Sequence, residues 1–232
     1  MRWHDLLFAH WPVDAAQLRP HIPAALEIDT FAGQAWIGIV PFRMTGVRPR
    51  LSPSLPGFSA FPELNVRTYV SAEGKPGVWF LSLDATCRSA VRLARWTWHL
   101  PYFDANISFG ERDGWIDYRS RRAHRGAPAA EFAARFRPIG PARPVEPATL
   151  EAWLIERYCL YAASTKRVFR GDVHHVPWPI QPAEAEIECN TMTAPFDIVL
   201  PDRTPLLHFA RVLDTVAWAP RRVRAADRLA IR

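Results

Sequence analysis

Apolar and polar positions alternate at period two along much of this chain, and only three short stretches switch to a helical period. The clearest alternation is FPELNVRTYV, Phe61 to Val70. Leu64, Val66, Thr68 and Val70 fall on one face, and Phe61, Glu63, Asn65, Arg67 and Tyr69 fall on the other. The first face suits a core. The second carries an acid, an amide and an arginine bounded by aromatics, which suits a partly enclosed polar site. Glu73-Gly74-Lys75-Pro76-Gly77 reads as a turn. Val78 to Ala85 is the returning strand, with Phe80, Ser82 and Asp84 on one side and Trp79, Leu81 and Leu83 on the other.

The remaining pattern predicts short elements. Asp14 to Arg19 reads as a helix ahead of Pro20, and Leu26 to Asp29 and Ala35 to Phe42 as a strand pair with Gly33 in the turn. Leu51 to Gly57 is a proline- and serine-rich loop. Cys87, Val91, Ala94 and Trp98 share one helical face, with Thr86 as the expected cap and Pro101 as the stop. Asn106 to Phe109 and Trp115 to Arg119 form a hairpin about Asp113-Gly114. Phe132 to Arg137 is a strand, residues 138–147 a proline-rich connector, and Thr149 the cap of a helix from Leu150 to Arg157. Cys159 to Ala163 with Val168 to His174 is another hairpin, and Ala185 to Thr191 and Leu206 to Trp218 are late strands. Many strands with a few short helices predict an α+β, mainly β, barrel-like domain spanning residues 1–232.

Composition narrows the function classes. The 22 prolines disfavour long helices. Net charge is +6, and all but two of the 29 basic residues are arginine. The densest runs, Arg119 to Arg125 and Arg221 to Arg232, read as solvated hairpin ends and tail, with no helix-turn-helix or RNA motif beside them. No nucleic-acid partner is expected. The three cysteines are far apart and lack C-x-x-C spacing, which argues against a disulfide framework or zinc site and for the reducing cytoplasm. The apolar run Leu6 to Ala9 is too short for a signal peptide, and no segment is long enough to span a membrane.

FPELNVRTYV, GVWFLSLDA, ARWTWHLPYFDA, LEAWLIERYCLY and the opening WPVDAAQLRPHIPAALEIDTFAGQAWIGIVPFRM together resemble the YqjF-like proteins, a family of unknown function, over nearly the whole chain. That family is similar to acetoacetate decarboxylase. The resemblance implies a closed antiparallel β barrel or cone around a small-molecule cavity, with short peripheral helices. Acetoacetate decarboxylase works through a Schiff-base lysine activated by a second lysine. The helix–proline–strand pattern places that pair just after Pro101, where this chain has Tyr102 and Phe103. Its only lysines are Lys75, in the glycine turn, and Lys166, in a hairpin loop. Schiff-base decarboxylation is therefore not expected.

The residues leave other chemistry open. Glu63 and Arg67 lie about 13 Å apart between α-carbons at roughly 3.3 Å per residue, so each needs its own partner. Arginine's planar fork matches a carboxylate. The candidate catalytic residues are Glu63 as acid or base, Arg67, and Tyr102 as a donor to a developing oxyanion. Arg67, Asn65, Ser82 and Asp84 are the candidate substrate-binding residues, with Asp84 a possible cross-strand partner for the charges. The alternative is a cross-strand network that only fixes the sheet. Gly57-Phe58-Ser59-Ala60-Phe61 lacks the second glycine of a hydrolase elbow, and adjacent His174 and His175 point to opposite faces. His208 reads as a satisfied histidine. The ten tryptophans read mainly as core. No metal motif, P-loop or dinucleotide fingerprint is present, so no cofactor is expected. The expected partner is a small, carboxylate-bearing molecule, and the sequence also allows a homo-oligomer. Acid–base chemistry of the lyase or isomerase type on a carboxylate or keto substrate stands beside non-catalytic ligand binding or sensing.

Overall fold

The computed structural model describes residues 1–47, 59–165 and 167–223. The loop expected at Leu51 to Gly57, Lys166, and the basic tail past residue 223 lie outside them. Among the described residues, fifteen strands form one connected sheet. They are β1 (Arg2–Val13), β2 (Glu27–Ile28), β3 (Ala35–Thr45), β4 (Phe61–Ala72), β5 (Lys75–Ala85), β6 (Tyr102–Arg112), β7 (Trp115–Arg122), β8 (Glu131–Pro138), β9 (Arg143–Pro144), β10 (Cys159–Ser164), β11 (Arg167–His174), β12 (Pro179–Asn190), β13 (Leu206–Asp214), β14 (Val216–Ala217) and β15 (Arg221–Arg222). The helices are α1 (Ala15–Leu18), α2 (Arg88–Trp98) and α3 (Leu150–Ile155).

Nine strands close on themselves in the order β5–β6–β7–β8–β12–β13–β1–β3–β4, with the β4–β5 hairpin completing the ring. Every pairing in it is antiparallel except β5–β6. That exception follows from α2, because a helical crossover returns the chain in the same direction. Alternate side chains from all nine strands meet in one cluster, which marks the inside of the ring. Leu7, Ile37, Leu64, Leu81, Ile116, Phe132 and Phe209 are at its centre, with Ile107 and Ile187 packed on it. A second apolar layer lies on the outer side of β1, β3, β4 and β5. There Phe8, Val40, Phe42, Tyr69 and Val78 are covered by Val91 of α2, Leu154 and Ile155 of α3, and Trp178.

Four sequence expectations need correction. Arg2–Val13 is a central strand that the alternation rule passed over. Leu6 to His10 is buried on both faces, so the segment reads as a continuous apolar run. β2 pairs with β4, not with β3, because β3 is taken up by β1 on its other side. Helix α2 starts on Cys87 without a side-chain cap, one residue after Thr86, and ends on a left-handed His99. The turn between β4 and β5 tightens to Glu73 and Gly74, both at positive φ, so the returning strand begins at Lys75.

Candidate functional site

The register of β4 against β5 decides which groups meet. Val66 pairs with Ser82, but Arg67 pairs with Phe80, so Leu81 is an extra residue. This β-bulge switches the facing of everything after it. Ser82 and Asp84 stand opposite Val66 and Leu64 and share their side, the inside of the ring. Glu63, Asn65 and Arg67 stand on the outer side, beneath the second layer. The expectation that all five line one hollow is thus corrected by one inserted residue.

On the inner side, Asp84 is closed off. Arg122 of β7 grips it two-handed, Nε to Oδ2 at 2.9 Å and Nη2 to Oδ1 at 2.7 Å, with both side chains fully buried. The guanidinium lies 4.1 Å from the centre of the Phe103 ring. Burial pushes the Asp84 carboxyl up, and Arg122 works against that. Ser82 is fully buried beside this pair in sequence.

On the outer side of β4, two polar atoms are left open. Glu63, Asn65 and Arg67 are each at least nine-tenths buried. Tyr102, the first residue of β6, donates its hydroxyl to Glu63 Oε2 at 2.9 Å. Burial raises the Glu63 carboxyl to about 8; the Tyr102 hydrogen bond lowers it and the Asp84 charge raises it further. Asn65 Oδ1 and Arg67 Nε are buried without a hydrogen-bond partner. Arg67 Nη2 donates to the Leu154 carbonyl at 3.3 Å, and the guanidinium faces the rings of Phe8 and Tyr69. Among the described residues, no carboxylate pairs with Arg67.

Sequence reasoning missed the groups around the Arg67 end. His10 of β1 sits across Gly38 from Arg67, since Gly38 pairs with both. A Cβ on Gly38 would fall 2.9 Å from the His10 ring and 3.5 Å from Arg67 Cγ, so only glycine leaves room for the pair to converge. His10 Nε2 is 2.7 Å from Tyr69 Oη. Burial, then Arg67 and His208, hold the His10 imidazole well below its usual value and therefore neutral. Arg157 lies over the Tyr69 and Trp153 rings and pairs with Asp29 at 2.7 Å. The one available signal was a histidine inside an otherwise apolar strand.

The other candidates fall elsewhere. His174 is exposed, and His175 is buried with Nδ1 on the Val176 carbonyl. Lys75 pairs with Asp172 at 2.8 Å and is partly exposed. Neither of two cavities formed by described residues touches Glu63 or Arg67. One, of about 230 Å³, is lined by Thr86, Arg88 and Asp104 among others; a second, of about 430 Å³, lies against β7 and β8. Among the described residues, no three His, Cys, Asp or Glu side chains group as a metal site, and no helix is long and apolar enough to cross a membrane.

Residues 1–214 match the model of the DUF2071 family, described as an uncharacterized conserved protein. The chain belongs to this family. It is 48% identical over 220 residues to the uncharacterized protein YqjF of Bacillus subtilis, covering 95% of this chain and 90% of the relative. Its fold is that of the acetoacetate decarboxylase-like proteins. The acetoacetate decarboxylase of Legionella pneumophila superposes with a TM-score of 0.64 at 12% identity, over 96% of this chain and 87% of that one. The enduracididine biosynthesis enzyme MppR, solved with pyruvate, superposes with a TM-score of 0.62 at 13% identity, over 97% and 91%. These likenesses establish the fold.

Proposed function

We propose that the outer face of β4 is a binding site for a small carboxylate or keto acid, and that it carries acid–base chemistry of the lyase or isomerase type. The observation behind this reading is the Arg67 guanidinium, buried with Nε unpartnered and without a carboxylate among the described residues. A buried charge left unpaired is costly, and a two-point acid is its natural complement. Glu63 supplies the second half. A carboxyl raised to about 8 is protonated at neutral pH yet close enough to exchange its proton, the range in which acid–base groups work best. Tyr102 orients it. Asn65, between them, offers an open amide oxygen. Ser82 and Asp84 belong to the inner face and take no part. No lysine among the described residues stands at this site, so the chemistry proceeds without a Schiff base. The three widely spaced cysteines, without C-x-x-C spacing, fit a cytoplasmic metabolite as the ligand.

Non-catalytic binding is the second reading, because a carboxyl held protonated is also a good hydrogen-bond donor to a carbonyl. The test is thermal unfolding with pyruvate, acetoacetate and a panel of other small acids. The expected result is stabilisation in the wild type that is lost in Arg67→Met, whose own stability stays near wild type. No stabilisation by any acid, or loss of stability in ligand-free Arg67→Met as large as a broken ion pair, would overturn the site. Proton exchange of a bound acid's C–H with heavy water then separates turnover from binding. Borohydride with acetoacetate should leave no covalent adduct.

A further inference from the structure

We propose that His10 and His208 form a proton relay that joins the Arg67 end of this site, through Tyr69, to the partly exposed carboxylate of Glu151. What the relay serves rests on the ligand-site reading; its parts are independent of it.

The hydrogen positions follow from the partners. The Tyr69 hydroxyl has His10 Nε2 at 2.7 Å, and its other polar neighbours, Arg67 and Arg157, are donors only. Tyr69 therefore donates, His10 Nε2 accepts, and neutral His10 carries its hydrogen on Nδ1. At the far end, Glu151 of α3 accepts from Arg143 at 2.9 Å and meets His208 Nε2 at 3.2 Å. Burial works to raise the Glu151 carboxyl, but the His208 and Arg143 hydrogen bonds outweigh it, so the group is a carboxylate. A carboxylate only accepts, so His208 carries its hydrogen on Nε2 and its Nδ1 is a bare acceptor.

Two buried ring atoms are thus left over: a donor, His10 Nδ1, and an acceptor, His208 Nδ1, each unpartnered. They lie on paired strands and one face. Phe8 is opposite His208, so His10 is its diagonal neighbour. Such α-carbons are roughly 7–8 Å apart, and one water reaches between two rings at that spacing. The transfer balances at each step. A proton reaching Tyr69 Oη releases the phenol hydrogen to His10 Nε2. His10 gives up Nδ1–H to the bridging water, which passes a proton to His208 Nδ1. His208 gives Nε2–H to Glu151, whose side chain is about one-quarter exposed. Passage in reverse returns the proton and restores both rings.

The test is nitrogen-15 NMR of the histidines in the full-length, ligand-free protein. The expected tautomers are Nδ1–H for His10 and Nε2–H for His208. Exchange of the His10 Nδ1 hydrogen with heavy water should slow about tenfold or more in His208→Phe, with backbone amide protection unchanged. If His208→Phe does not fold, Glu151→Gln, which cannot take up the proton, should slow it likewise. A His10 hydrogen on Nε2, or exchange slowed by less than that in the folded variant, would overturn the relay. Since no ligand is present, a failed acid panel leaves this result standing.

Discussion

The two sides of the β4–β5 hairpin carry the same kinds of residue and make opposite use of them. Inside the ring, Asp84 and Arg122 satisfy each other twice over. Outside, Glu63 and Arg67 are as deeply buried, yet Arg67 Nε and Asn65 Oδ1 are open. Burial and charge alone therefore do not mark a functional group. What separates Arg122 from Arg67 is that, among the described residues, a buried carboxylate answers the first guanidinium and none answers the second; single unpartnered atoms occur on both faces, Ser82 Oγ inside and Asn65 Oδ1 outside. Asp5 sides with the inner face: buried, and held by Arg43 and Arg211.

The comparison can be broken most sharply at its closed half. Arg122→Met leaves Asp84 buried without a partner and should cost about 3–5 kcal/mol in denaturant unfolding. A cost under about 1 kcal/mol would mean the inner pair is as dispensable as the outer arginine.

The next effect is the pH dependence owed to Glu63. Its folded value, about 8, lies above the ordinary 4.5, so the folded state holds a proton the unfolded chain has lost. Stability from this group is complete below about pH 4.5 and falls as pH rises through about 8, by on the order of 5 kcal/mol at most. Glu63→Gln should flatten that decline and unfold at higher temperature than wild type at pH 8.5. An unchanged slope would place Glu63 with the satisfied acids.

Gly38→Ala comes third. Its methyl group meets the His10 ring, and overpacking of this kind costs about 1–3 kcal/mol. The loss should be accompanied by a shift of the His10 imidazole resonances. Arg67→Met has the smallest expected effect on the free protein, within about 1 kcal/mol, since no ion pair among the described residues is lost. Its consequence should appear only when an acid is added.

The alternation of FPELNVRTYV was enough to separate the buried polar face of β4 from its apolar one, because period two is a property of the chain itself. The helix α3, its Thr149 cap and the Asp113-Gly114 hairpin were legible for similarly local reasons. The family resemblance carried the closed ring. What was not legible is pairing. Nothing in LSLDA marks Leu81 as the inserted residue, since a bulge is defined by two strands and only one is in view. Arg122 looked like one of a solvated basic run, though every second side chain of β7 turns inward. His10 was hidden in a strand buried on both faces.

That inserted leucine has one more consequence. It puts Asp84 of the neighbouring strand β5 on the opposite face of the sheet from Glu63, where its negative charge still adds to the reluctance of Glu63 to ionise. A framework ion pair is thereby also a remote adjuster of acidity. Changes around Arg122 would retune the acid on the far side of the wall without altering any group that meets a ligand there.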